Sequence, residues 1–162
     1  LAEDARKDGD SLGSRVDLDI SGLPVGFGEP WFEGIEPALA RGLMAIPAAR
    51  AVEFGRGVEA GVMRGSQHND KWGEDMSLSE GADGALGGMA SGAPIHVRIT
   101  FKPPSGISKP QETFNQVTGM MEELAIKGRH DPVIGPRARP VVEAVARLVI
   151  ADLAIQGGYI DG

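Results

Sequence analysis

The sequence predicts an α+β fold, and three observations predict it. Val16-Asp17-Leu18-Asp19-Ile20 alternates apolar and polar residues, as a half-buried strand does. The same period is clearer in a second segment, where Ile95, Val97, Ile99 and Phe101 point one way and His96, Arg98, Thr100 and Lys102 the other. Helical spacing appears twice, at Ile35, Leu39, Leu43 and Ile46, and at Val141, Val145, Leu148, Val149 and Leu153.

The elements follow in order. Residues 1–13 are polar and close on the turn-like Asp8-Gly9-Asp10-Ser11. After the first strand, Ser21 to Pro30 reads as a glycine- and proline-rich loop. A helix follows with Pro37 in its first turn, and Pro47 stops it. Ala51 to Phe54 is a short strand and Val58 to Met63 a short helix. Periodicity fails from Gly65 to Gly92, a length of loop that compact domains keep for function. Beyond the second strand, Lys102-Pro103-Pro104-Ser105-Gly106 breaks the extended run. Phe114, Val117, Met121 and Leu124 fit a helix. Gly128 to Pro136 is a loop, and the last helix starts near Pro140 and ends at Gly157-Gly158. With no repeat and no linker, residues 1–162 read as one domain.

Composition narrows the function. Twenty-four glycines and 11 prolines in 162 residues indicate many turns. There is no cysteine, which removes thiolate chemistry and Cys-ligated metal. Sixteen basic against 23 acidic residues give a net charge of −7, unsuited to a nucleic-acid surface. No apolar run reaches membrane-spanning length and no targeting segment is evident, so a cytoplasmic location is expected. His68, His96 and His130 have no helical pairing or metal-ligand spacing, so no metal site is expected.

Two motifs carry chemistry. Gly55-Arg56-Gly57-Val58-Glu59-Ala60 has the dinucleotide-binding spacing, but the acidic residue that should end a second parallel strand is missing. Gly128-Arg129-His130-Asp131-Pro132, followed by Arg137 and Arg139 at a helix start, suits a phosphate or carboxylate; a surface Arg–Asp pair is the plainer alternative. Lys102 to Gly106 could also present donors to an anion, and the glycines from Gly84 to Gly92 allow close backbone approach.

Taken in order, these segments resemble one family. Gly22-Leu23-Pro24-Val25-Gly26-Phe27-Gly28-Glu29-Pro30, Met44-Ala45-Ile46-Pro47-Ala48, Arg64-Gly65-Ser66-Gln67-His68-Asn69-Asp70, Leu86-Gly87-Gly88, Phe101-Lys102-Pro103, Gly128 to Pro132 and Arg137 to Ala144 are similar to the C-terminal part of chorismate synthase. The resemblance spans roughly Asp8 to Leu153. The family's N-terminal Gly-Glu-Ser-His segment, its two acid histidines and several arginines have no counterpart. The resemblance therefore implies a partial form that is inactive alone.

The resemblance further implies a β-α-β sandwich, with helices between antiparallel sheets, and a homotetramer at full length. The implied reaction is the anti-1,4-elimination of phosphate from 5-enolpyruvylshikimate 3-phosphate to give chorismate, a lyase step of the shikimate pathway towards aromatic amino acids. It needs reduced FMN without net redox change; the flavin-reductase source is not specified. Pro47, Ala48, Gly87, Lys102, Pro103, Pro104, Ser105 and Gly106 match flavin-contacting positions. Arg129 matches an arginine near flavin and substrate phosphate. Asp131 matches the carboxylate placed in proton transfer at flavin N5, and so falls at both substrate and catalytic positions. The family carries Thr-Asn at Ser79-Glu80, Gly at Asp83 and Thr-Ser-Ser at Pro104-Ser105-Gly106. A second expectation from another class is a non-catalytic piece contributing only oligomer contacts.

Overall fold

The computed structural model describes residues 1–74 and 83–161. The chain opens with α1 (Ala2–Lys7), a single short helix in the stretch expected to be irregular. β1 (Ser14–Ile20) follows, then α2 (Ile35–Met44) and β2 (Ala49–Phe54). A 3₁₀ helix at Gly57–Val62 stands where the short helix is expected. α3 (Gly65–His68) and the small β3 (Ala85–Leu86) and β4 (Met89–Ala90) occupy parts of the expected loop. β5 (Ile95–Phe101), β6 (Gln111–Asn115), β7 (Met120–Leu124) and α4 (Gly135–Gln156) complete the chain.

The centre is a three-stranded antiparallel sheet in the order β1-β5-β2. β5 is its middle strand because its apolar side is complete: Ile95, Val97, Ile99 and Phe101 are almost fully buried. Its other side is polar and paired with β1. Arg98 Nε donates to Asp17 at 3.1 Å, and His96 Nδ1 lies 2.6 Å from Asp19.

α2 and α4 cover the apolar side of the sheet. Ile35, Leu39 and Leu43 from α2 and Val142 from α4 have no solvent exposure, and Phe101 meets them from the sheet. The helices approach closely at Gly42, where a Cβ would stand 2.7 Å from a Val149 methyl. One sheet and one helix layer give the α+β class. Two further antiparallel pairs, β3–β4 and β6–β7, stand apart from this sheet.

α2 begins without a side-chain cap. Instead the Ile35 N–H donates to the Gly88 carbonyl at 2.8 Å, so the β3–β4 turn caps the helix. Gly88 has φ 95°, and a Cβ there would meet the Glu29 carbonyl oxygen at 2.5 Å, so only glycine fits. Pro37 is harmless because first-turn N–H groups have no helical acceptor.

Two expectations need correction, and the dinucleotide spacing can be set aside. Phe114, Val117, Met121 and Leu124 do not form a helix: they belong to the β6–β7 hairpin, with Phe114 directly opposite Met121. The turn decides this. Asn115 Oδ1 accepts from the Val117 and Thr118 N–H groups, Gly119 N–H donates to the Asn115 carbonyl, and Gly119 has φ 71°. The buried face of α4 is shifted from the expected one: Leu153 is buried and Val145 and Val149 pack against the core as expected, but Val142, Ala146 and Ala154 join them while Val141 and Leu148 are exposed. The Gly55–Ala60 motif does not open a dinucleotide site, because β2 runs antiparallel to β5, and the Val58 N–H is already taken by Glu53 Oε1 at 3.1 Å.

Candidate functional site

The chain folds three separated segments onto the end of β5 where Phe101 lies. The first is the α2–β2 connection, Pro47 and Ala48. Ala48 is one of two non-glycine residues with positive φ among those described, at 70°, and that bend brings its carbonyl to the Lys102 N–H at 3.0 Å. The second is the strand exit itself. Phe101 is buried, whereas Lys102 and Pro103 are exposed, so the lysine leaves the core where the strand ends. Ser11 Oγ donates to the Pro104 carbonyl at 2.6 Å and fixes the proline pair.

The third segment is the Gly128–Pro132 loop. Leu12 N–H donates to the Pro132 carbonyl at 2.7 Å, which ties the loop to the start of β1. Gly106 packs on the His130 imidazole: a Cβ at 106 would stand 3.2 Å from His130 Nδ1. The missing side chain at Gly106 lets the second and third segments touch. Neither Ser11 nor His130 stands out in the sequence as a positioning residue, because each acts on a partner remote along the chain.

The third segment borders a small cleft of about 260 Å³, lined also by Arg6, Asp10 and Ser108. Its charges are largely committed. Arg6 is held by Glu3 at 2.7 Å, and Lys109 donates to Asp10 at 3.1 Å. The Ser11 N–H, and then Lys109, hold the Asp10 carboxyl below its ordinary range, so Asp10 stays anionic. Arg129 has no ion pair among the described residues and is exposed at the cleft.

Asp131 is differently placed from a buried base. Its carboxylate is about a third exposed and forms an ion pair with Arg137 in the first turn of α4. The loop thus anchors the helix start through the plainer of the two pairings.

Gly87 is not brought together with the others. It lies in the β3–β4 turn beside Gly88, at the start of α2, whereas Pro47 and Ala48 follow the end of that helix. Ten residues of α2, about 15 Å, separate them. Gly87 is exposed with φ 61°, and a Cβ there would meet nothing. Asp83 is also at this far end, 3.6 Å from His68, with its carboxylate against Gly55. Ser79 and Glu80 lie outside the described residues.

The family model for chorismate synthase matches residues 1–155. The chain belongs to the chorismate synthase family. Chorismate synthase of Aeropyrum pernix is 47% identical over 159 residues, 96% of this chain and 42% of the relative. That of Methanosarcina mazei is 45% identical over 160 residues, 96% of this chain and 44% of the relative. A solved chorismate synthase crystal structure superposes with a TM-score of 0.73 at 28% identity, covering 96% of this chain and 40% of that one. The chain thus spans less than half the length of the chorismate synthases it matches. No described helix is long and apolar enough to cross a membrane, and no described cluster of carboxylates and histidines suits a metal ion.

The residues present fit the anionic end of a flavin nucleotide better than its ring. Lys102 and Arg129 offer exposed cations on adjoining segments. A ring face built on Gly87 would need surfaces that bridge the length of α2.

Proposed function

We propose that this chain supplies the phosphate-holding edge of a chorismate synthase site. The overall reaction is the anti-1,4-elimination of phosphate from 5-enolpyruvylshikimate 3-phosphate to give chorismate. The observation that carries the reading is the meeting of Ala48, Lys102 and Gly106 with the Arg129–His130 loop at one end of β5. Family membership supports it.

In this reading Lys102 and Arg129 bind anionic oxygens of cofactor and substrate, and the Ala48–Lys102 bond sets where the lysine emerges. A guanidinium beside a departing phosphate stabilises the charge that develops on it. Reduced FMN, when bound, supplies electron density to the reacting ring without net redox change. Asp131 is the proton-handling residue of this reading. To act, it must exchange Arg137 for the ligand, and the pair's exposure makes that exchange cheap. Pro47, Pro103, Pro104, Ser105 and Gly106 shape the rim, and Gly87 contributes only to a site completed from beyond these residues. We assign the full-length protein to a homotetramer in the cytoplasm.

The test is an FMN titration of this chain, with and without 5-enolpyruvylshikimate 3-phosphate, followed by flavin fluorescence. Substrate-enhanced binding, weakened about tenfold by Arg129→Ala, is the expected result. Equal binding by wild type and variant would remove Arg129 from the site. Turnover by these 162 residues alone would contradict the partial-site reading. The rival reading, a non-catalytic contact piece, draws on the distance of Gly87 and the Asp131–Arg137 pair, and predicts no flavin binding at all.

A further inference from the structure

The Gly128–Pro132 loop is fastened at two places beyond its arginine. The Pro132 carbonyl accepts from the Leu12 N–H, and Asp131 pairs with Arg137. The stretch before them is held differently. Among the described residues Lys127, Gly128 and Arg129 make no hydrogen bond or ion pair of their own. One side chain closes this stretch. His130 Nε2 lies 3.2 Å from the carbonyl oxygen of Ile126, four residues back, so the imidazole bridges Lys127, Gly128 and Arg129.

The chain doubles back beside the ring at Gly128. Its φ is 149°, a conformation that glycine adopts freely and other residues rarely do, and a Cβ there would lie 3.8 Å from His130 Nε2. A carbonyl oxygen can only accept, so Nε2 carries the proton of this bond, and in the neutral ring Nδ1 is left as a lone pair. Nδ1 is the edge that meets the rim: a Cβ at Gly106 would stand 3.2 Å from it. The ring therefore bonds its own loop through one nitrogen and packs on the strand-exit segment with the other.

We infer that His130, as its Nε2–H tautomer, is a positioning residue of the phosphate-holding edge. Its bond to Ile126 and its contact with Gly106 hold Arg129 and Asp131, its two neighbours in the chain, in place against the Lys102–Gly106 rim. The inference rests on the reading proposed above, in which those two residues meet the ligand. Its physical basis is order gained before binding. A stretch without bonds of its own would otherwise be fixed at the expense of binding energy, and a displacement of about 1 Å is enough to weaken a guanidinium's hold on a phosphate. Arg129 has no ion pair to restrain it among the described residues, so the restraint comes from its neighbour.

Two measurements on the 162-residue chain test it. In the FMN titration with 5-enolpyruvylshikimate 3-phosphate, His130→Leu should weaken binding about fivefold, the worth of one hydrogen bond, with Arg129→Ala as the reference. His130→Gln keeps an N–H donor at similar reach and should stay within about twofold of wild type. Equal losses from the two substitutions would trace the effect to the ring's charge or bulk and overturn the inference. Loss from Arg129→Ala with none from His130→Leu overturns it and leaves the proposed site standing, whereas no loss from Arg129→Ala removes the site and the inference together. The second measurement needs no ligand. At about pH 8, where free imidazole is neutral, nitrogen–proton correlation spectra of the wild-type chain should place the His130 proton on Nε2. A proton on Nδ1 overturns the inference. Thermal melts check each fold. Should His130→Leu unfold, His130→Asn, whose shorter amide does not reach Ile126, replaces it with the same expected loss.

Discussion

The N–H of Lys102 donates to the carbonyl of Ala48 at 3.0 Å, and Ala48 reaches that position only by adopting φ 70°. A β-branched side chain at this backbone conformation is strained. Ala48→Val is expected to lower stability by on the order of 1–2 kcal/mol in urea unfolding. It should also weaken FMN binding in parallel, because the exit of β5 moves with it. Flavin affinity unchanged in a folded Ala48→Val protein would separate Lys102 from the site.

The β3–β4 turn is expected to be as sensitive. Gly88 caps α2 through its carbonyl and has the Glu29 carbonyl where a Cβ would go. Gly88→Ala should cost about 2 kcal/mol or more, from backbone strain and a displaced cap. Gly87→Ala, next door and facing open space, shares only the strain of positive φ and should cost less. Thermal melts of the two variants compare them directly.

The orientation of α4 can be measured by paired truncations. Val142 is fully buried and Leu148 is 69% exposed. Val142→Ala should destabilise by about 2 kcal/mol, whereas Leu148→Ala should stay within about 0.5 kcal/mol. The reverse order would restore the face that helical spacing alone suggests.

Burial pushes the Glu36 carboxyl above its ordinary value of 4.5, and the nearby Asp83 charge adds to the rise. The folded state then holds this proton more tightly than the unfolded chain. Its contribution is favourable at low pH, and stability is lost as pH climbs through 4.5 and past the raised value. Glu36→Gln should raise the melting temperature near neutrality, with the gain closing by about pH 4. A gain that persists unchanged at low pH would show that the charge is not its source.

Much of this was legible along the chain. The period-2 alternation at 16–20 and 95–101 identified both strands, because a sheet with one buried face imposes that period on its residues. Pro37 and Pro47 bracketed α2, since proline is tolerated in a first turn and cannot continue a helix past its end. The ordered motifs identified the family. Helix against hairpin at 111–124 was not legible, because a seven-residue spacing from Phe114 to Met121 suits two helical turns as well as a cross-strand pair. The Asn115–Gly119 turn chooses between them.

By itself, then, the sequence determined the class of fold and the family. Those depend on local periodicity and on motif order, which are properties of neighbours in the chain. Only the tertiary structure decided which residues meet. It joined Ala48 to Lys102 and Gly106 to His130, set Gly87 at the other end of α2, and gave Asp131 to Arg137. Such pairings depend on sheet order and on how a loop crosses a strand end, and no spacing along the chain encodes them.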